Sequence, residues 1–280
     1  MSKKAKIFIG VDPNGCDIES QSVLEWSLRK HSSIDVEIEW MMLSRDPNSF
    51  WYSSGDGLEG WNTTNWATCF SAFRWGIPAR CNFEGKAIYM DSDMIILDDI
   101  QNLWDQDFGG KAIIAKGPTM PDRFCVALMD NEKMGQILPP IEEIKRSPDM
   151  YQRITGGLAR QTHEFVQPFI GNWNCVDGEN LPLEQISIFH HSSMEHQLCH
   201  KYSIPRLRSE GRQHWYTGNI TEHPRKDARK LFDDLLDEAI NNGFGPEKYS
   251  VPDYMKYGTY KKAYQNFSGN ANPYIGVNNG

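Results

Sequence analysis

Lys86-Ala87-Ile88-Tyr89-Met90-Asp91-Ser92-Asp93-Met94-Ile95-Ile96-Leu97 sets two carboxylates inside an otherwise apolar run. The β-branched and aromatic residues before Asp91 predict a buried central strand, and the acids fall at its carboxyl end, where open α/β sheets bind ligands. On an extended segment residues i and i+2 point to the same side. Asp91 and Asp93 are therefore placed to reach one hard divalent cation together, leaving coordination positions for the oxygens of a phosphate-bearing substrate. A solvated turn does not need apolar walls on both sides. Burying two uncompensated carboxylates is costly enough that a cation explains the pattern better than a polar turn does.

Upstream, Lys6-Ile7-Phe8-Ile9-Gly10-Val11 reads as a strand closed by the turn Asp12-Pro13-Asn14-Gly15. A helix follows, with Asp17 as its cap and Val23, Leu24, Trp26 and Leu28 at helical spacing. Asp35–Met41 then alternates with period two, so the chain opens β-α-β, which predicts parallel strands, a right-handed crossover and an Asp12 turn at the ligand edge. Residues 46–64 read as a long loop over the site, and Asn65–Gly76 as a helix ending before Ile77-Pro78. Further strands are expected at 111–115, 124–129 and Ile186–Phe189, with His190-His191 at the end of the last. Thr155-Gly156-Gly157 and Gly171–Asn174 read as turns, and 225–241 as a helix.

The 280 residues suffice for one sizeable core, read as a catalytic core over 1–200 and a basic, aromatic C-terminal extension over 201–280. No apolar segment reaches the roughly 20 residues of a membrane span, and Met1-Ser2-Lys3-Lys4-Ala5 is not a signal-peptide core, so a soluble, cytoplasmic protein is expected. The six cysteines are scattered without a C-x-x-C pair, which predicts free thiols. The net charge of −8 excludes a protein wrapped generally in nucleic acid, although residues 196–230 hold eight basic groups against three acids. Neither G-x-G-x-x-G after the first strand nor a Walker A loop is present, which removes the usual anchors of hydride transfer and P-loop phosphoryl transfer.

Five features in sequence order, over about residues 6–200, resemble the GT-A fold glycosyltransferases, and most nearly family 8, which uses nucleoside-diphosphate sugars. These are Val11-Asp12 after the first strand, Phe70–Pro78 with Arg74, Asp91-Ser92-Asp93, the stretch Asp98–Asp107, and Phe189-His190-His191-Ser192-Ser193-Met194-Glu195-His196-Gln197. The resemblance implies an α/β fold with a mixed, mostly parallel sheet flanked by helices. It also implies a transferase moving a hexosyl or pentosyl group from a UDP-sugar to a hydroxyl of a glycan, lipid-linked glycan or protein. It assigns Val11, Asp12, Asn14, Ser92 and Lys201 to the donor, Arg74 to the diphosphate, and a histidine as third metal ligand. Adjacent strand residues face opposite sides, so only one of His190 and His191 can serve, and His190 fits the motif position. Two carboxylates with one imidazole suit Mn²⁺, with Mg²⁺ as the alternative.

The family's aspartate-rich acceptor motif has no recognisable counterpart, which leaves the stereochemical outcome open. Asp177 or Glu179 would be the base of an inverting reaction, and Asp130, after the 124–129 strand, a candidate for the acceptor side. Besides a metal-dependent nucleotidyltransferase or sugar-nucleotide hydrolase, for which Asp12-Pro13-Asn14-Gly15 is a poor Gly-rich phosphate loop, two rival functions stand. One is a DNA glycosyltransferase acting on a hydroxylated, flipped base, motivated by the basic stretch and by a tail in which Tyr249, Tyr254, Tyr257, Tyr260, Tyr264 and Phe267 interleave with lysines. The other is a non-catalytic module that binds sugar nucleotides or glycans.

Overall fold

The computed structural model describes residues 4–257, except 56–57, 64–65, 67, 118–123 and 217. The part of the aromatic tail beyond Tyr257 lies outside the described residues. The chain begins as expected, with β1 (Lys4–Gly10), α1 (Ile18–Lys30) and β2 (Asp35–Met41). After the 46–64 loop come a 3₁₀ turn (Phe73–Gly76) and α2 (Ile77–Arg80), then β3 (Lys86–Asp91), β4 (Met94–Ile96), α3 (Ile100–Trp104), β5 (Ile113–Ala115) and β6 (Val126–Asp130). Helices α4 (Asn131–Ile137), α5 (Ile141–Arg146), α6 (Met150–Arg160) and α7 (Thr162–Phe165) precede β7 (Val166–Pro168), β8 (Cys175–Val176) and β9 (Ile188–His190). Helices α8 (His200–Ser209) and α9 (Lys226–Asn241) follow.

The main sheet has the order β2-β1-β3-β6-β5-β7, with β6 antiparallel to both of its neighbours and the other pairings parallel. A second sheet, β4-β9-β8, leaves the first at Ser92-Asp93. The central strands are buried on both faces, which is why they read as continuous apolar runs. Phe8 and Tyr89 join the Trp51, Trp61 and Phe73 cluster on one face, while Ile7, Ile9, Ile88 and Met90 meet Leu24, Leu28 and Ile100 on the other. Each fully buried side chain of this size contributes about 1.5–3 kcal/mol. A third cluster, built from Val23, Ile95, Phe189, Leu198, Phe232 and Leu235, packs α8 and α9 against α1 and the small sheet.

Four local expectations differ from the structure. Phe73–Arg80 forms the short 3₁₀ turn and α2, with Pro78 in the first turn of that helix, where its missing N–H costs nothing. Thr155-Gly156-Gly157 lies inside α6 instead of forming a turn, because burial of Met150, Tyr151, Ile154 and Leu158 along one face outweighs the weak helix propensity of two glycines. The described residues of the 46–64 loop pack beside the sheet through Trp51 and Trp61, which stack 5.8 Å apart, and are not among those that line the cleft described below. Asp17 sits at the N-cap of α1 but makes no side-chain cap bond, since its carboxylate is drawn into a tertiary cluster.

Candidate functional site

The carboxyl ends of β1 and β3 open into a cleft of about 1060 Å³, part of it solvent, lined by Asp12, Asp17, Arg74, Asp91, Ser92, Asp93 and His190 together with Phe70, Tyr151 and Trp215. β3 ends at Asp91 and the backbone bends at Ser92-Asp93 before β4 starts. Asp91 therefore closes β3 while Asp93 lies in the bend, and both acids line the cleft without sharing one continuous strand. β4 pairs antiparallel with β9 in the register Met94↔His190, which sets His190 beside Asp93, and the His191 N–H donates to the Asp93 carbonyl at 3.1 Å.

Arg74 is buried and held on several sides. Its Nε donates to the Ser71 carbonyl at 2.9 Å, Nη1 to the Phe124 carbonyl at 2.6 Å and Nη2 to Asp91 Oδ1 at 3.2 Å. The guanidinium lies 4.3 Å from the Tyr89 ring centroid, and the Tyr89 hydroxyl donates to the same Asp91 oxygen. Burial works against the charge on Arg74, but Tyr89 and Asp91 outweigh it, so the group stays a cation.

Asp93 carries the other half of the site. Oδ1 lies 3.3 Å from His190 Nε2, and Oδ2 accepts from Gln197 Nε2 at 2.7 Å. His190 Nδ1 in turn faces Asn174 Oδ1 at 3.0 Å, which fixes the ring's orientation. Burial would raise the Asp93 pKa, but His190 and Gln197 reverse this and hold it at about 2. Gln197 Oε1 also lies 3.2 Å from His191 Nδ1. His191 packs against the aromatic rings of Phe189 and Phe232, and burial lowers its pKa.

Carboxylate and imidazole donors of this kind can hold a divalent ion. The 3.3 Å between Asp93 Oδ1 and His190 Nε2 is near the roughly 3 Å that separates adjacent ligands of an ion with bonds of about 2.1–2.2 Å. Asp91, Cys125 and His190 also offer ligand atoms within 4.8 Å of one another. Cys125 escaped the sequence reading because the β3–β6 pairing brings it there, with its carbonyl accepting from the Asp91 N–H at 3.0 Å. Tyr89 and Asn174 escaped it for the same reason, each acting through a partner distant in sequence or on the next pleat, while Gln197 was read only as part of the segment after His190.

The remaining candidates divide. Asp12 and Ser92 line the cleft, and Asp12 Oδ2 accepts from the N–H groups of Asn14 and Cys16, both at 3.0 Å, which shapes the turn after β1. Val11 is buried, with its N–H donating to the Met41 carbonyl. Asn14 is committed to Tyr257, accepting its N–H at 2.7 Å and donating to its carbonyl at 3.0 Å. Gly10 is required by packing, because a Cβ there would lie 2.7 Å from the Phe70 ring.

Asp130, Asp177, Glu179 and Lys201 are not among the side chains lining the cleft. Asp130 caps α4 by accepting the Lys133 N–H and pairs in register with Lys86, five residues from Asp91 and roughly 17 Å along β3. Asp177 accepts from His223 Nε2 at 2.8 Å and from the Ser193 N–H at 2.9 Å, and Glu179 binds Lys116 at 2.6 Å. Lys201 is exposed and paired with Asp233 at 2.6 Å. The basic stretch is likewise balanced in space: Arg206 pairs with Glu19, Arg212 with Glu210, Arg225 with Asp227, Arg229 with Glu222 and Lys230 with Asp234. Among the described residues its charge excess in sequence is thus reduced by acids from outside the stretch, Glu19, Asp233 and Asp234.

Across the cleft, Asp17 Oδ1 accepts from His214 Nε2 at 2.9 Å and from the Cys199 thiol at 3.3 Å. Burial would raise the Asp17 pKa, but His214 pulls it below the usual carboxylate range, while burial presses His200, beside it, down to about 4. Among the described residues no helix is long and apolar enough to cross a membrane.

No family model matches the chain. A 105-residue segment is 35% identical to Protein CDI of Arabidopsis thaliana, covering 37% of this chain and 37% of that protein, so the match spans little more than a third of the relative's length. Among solved structures, an active-site mutant of LgtC, elsewhere described as a galactosyltransferase, superposes with a TM-score of 0.51 at 13% identity, over 83% of this chain and 95% of that one. The apo glycosyltransferase GlyE of Streptococcus pneumoniae TIGR4 superposes with a TM-score of 0.50 at 18% identity, over 87% of this chain and 64% of that one. At these identities the likeness is one of architecture: the chain has the mixed α/β fold of the GT-A glycosyltransferases.

Proposed function

We propose that the protein is a divalent-cation-dependent glycosyltransferase that moves a sugar from a UDP-sugar to an acceptor hydroxyl. One observation supports this reading: Asp91, Asp93 and His190 all line one cleft at the carboxyl ends of the central strands, beside the buried cation Arg74, in a fold shared with known glycosyltransferases. Asp91, Asp93 and His190 would hold Mn²⁺ or Mg²⁺. When bound, that ion neutralises the charge that develops on the nucleoside diphosphate as it leaves the sugar carbon.

The chain's own residues do the positioning. Arg74, fixed by Ser71, Phe124 and Asp91, presents a preformed cation at the side of the diphosphate and pays little reorganisation when charge develops there. Gln197 and Asn174 orient Asp93 and His190 from behind, so the ligand atoms face the cleft before anything binds. Asp12, tied into its turn by two N–H groups, lines the cleft beside the β1 edge, where the nucleoside would lie. In the transfer the bond from the sugar carbon to the diphosphate oxygen breaks with its electron pair staying on that oxygen, the acceptor oxygen bonds to the carbon, and the acceptor proton passes to the released diphosphate or to solvent. A UDP-sugar donor rests on the family 8 resemblance; the acceptor is a hydroxyl of a glycan, lipid-linked glycan or protein.

The test is a panel of nucleotide sugars with Mn²⁺ and with a chelator, scoring nucleoside diphosphate release by wild type and Asp93→Ala. Release for one donor that requires both Mn²⁺ and Asp93 supports the proposal. Metal-dependent binding without turnover at any acceptor tried would favour a binding module, and absence of binding to every nucleotide sugar would refute the reading.

A further inference from the structure

Asp17, Cys199 and His200 form a second cluster of metal-ligating side chains, outside the Asp91, Asp93 and His190 set. Their donor atoms all lie within 4.8 Å of one another. Asp17 comes from the start of α1 and the other two from the start of α8, so the cluster joins elements more than 180 residues apart. Cys199 and His200 are buried, and Asp17 borders the cleft.

A second observation, independent of that proximity, points to a ligand. His200 is only 4% exposed, yet neither Nδ1 nor Nε2 has a hydrogen-bond partner among the described residues. A neutral imidazole carries one donor and one acceptor, and a buried ring that satisfies neither is uncommon in a folded protein. Its neighbours leave it so: His214 meets it edge-on at 4.8 Å between centroids, and Tyr216 stacks at 6.3 Å. His214 itself is oriented by the Tyr216 N–H, which donates to Nδ1 at 3.0 Å, so its Nε2 proton is aimed at Asp17. His214 is therefore a positioning residue for the carboxylate and leaves the third corner to His200.

We propose that Asp17, Cys199 and His200 bind a borderline transition-metal ion of the Zn²⁺ class. A thiolate, an imidazole and a carboxylate are ligand types that suit Zn²⁺. Binding replaces the Cys199 thiol proton that now bridges to Asp17: the S–H bond breaks, the proton goes to solvent, and the sulfur lone pair bonds the ion. The ion pins α8 to the first turn of α1, beside the cleft wall that Asp17, Ser20 and Gln21 supply. Nothing in this site requires the transferase reading to hold.

The experiment uses the full chain, stripped with chelator and titrated with Co²⁺ as a spectroscopic probe and with Zn²⁺ as competitor. The expected result is a sulfur-to-cobalt charge-transfer absorption that saturates at one ion per chain and is bleached by Zn²⁺. It should be lost in Cys199→Ser and at least tenfold weaker in His200→Gln, but retained in Cys125→Ser and Asp93→Ala. Zn²⁺ should also raise the wild-type unfolding temperature, and not that of His200→Gln. If Cys199→Ser fails to fold, the wild-type spectrum and the Cys125→Ser and His200→Gln titrations still decide. No sulfur-to-cobalt absorption in wild type, or a band lost in Cys125→Ser in place of Cys199→Ser, overturns the proposal.

Discussion

The acids beside the two ends of β3, Asp91 on that strand and Asp130 on its antiparallel neighbour β6, look alike in sequence and differ in their surroundings. At the carboxyl end Asp91 faces the cleft, bound by Arg74 and the Tyr89 hydroxyl, with Asp93 and His190 alongside. At the amino end the partner of Lys86 is Asp130, whose carboxylate caps α4 and pairs loosely with Lys133 at 3.7 Å. Both acids follow apolar strands. Only one strand end faces the crevice formed where parallel strands finish, and because β6 runs antiparallel, its carboxyl end lies at the opposite edge. Strand direction, more than residue type, separates a reactive carboxylate from a structural one.

Substitution at the two ends should widen that contrast. Asp91→Ala removes a candidate cation ligand and strands a buried guanidinium; we expect turnover to fall by on the order of 10²–10³-fold and stability by about 3–5 kcal/mol, read by product release and chemical denaturation. Gln197→Leu leaves the acids in place but unties Asp93 from behind; a Mn²⁺ titration should show affinity about 10–100-fold weaker.

Acid should act on the cleft in two stages. His200 has a folded pKa of about 4, below its ordinary 6.5, so the unfolded chain binds the extra proton and stability falls between those values as pH drops. Asp93, held at about 2 against 3.8, contributes stability above about pH 4 that disappears as pH falls through 2. Denaturation midpoints measured across this range should show the upper slope flattened in His200→Gln and the lower one in Asp93→Asn. The smallest effect belongs to the far end: Asp130→Ala should cost about 1 kcal/mol, the value of a lost helix cap, with turnover unchanged. Turnover that falls as far in Asp130→Ala as in Asp91→Ala would break the comparison.

Much of this was legible in the chain. The β-α-β opening follows from Ile7–Ile9, the helical spacing of Val23, Leu24 and Leu28, and the alternation of Asp35–Met41, because local period reports burial directly. The acids at the end of β3 were visible because carboxylates rarely end a buried strand without a reason. What sequence could not give were features made by tertiary pairing. The antiparallel course of β6 moved Asp130 away from the cleft and brought Cys125 in. The β4–β9 register set His190 against Asp93. The basic stretch 196–230 was neutralised in part by Glu19, Asp233 and Asp234, acids outside it. Asp17 reads locally as a helix cap, and only the packing of α8 against α1 reveals its partners Cys199 and His214.

The central claim, a cleft that binds a nucleoside diphosphate through a cation held by Asp91, Asp93 and His190, is tested most directly by calorimetric titration of UDP into the wild-type protein with Mn²⁺ and with chelator. The account predicts one-to-one binding with Mn²⁺, weakened at least about tenfold by chelator and to the same extent by Asp93→Ala. Equal affinity in chelator and Mn²⁺, or no binding under either condition, would contradict it.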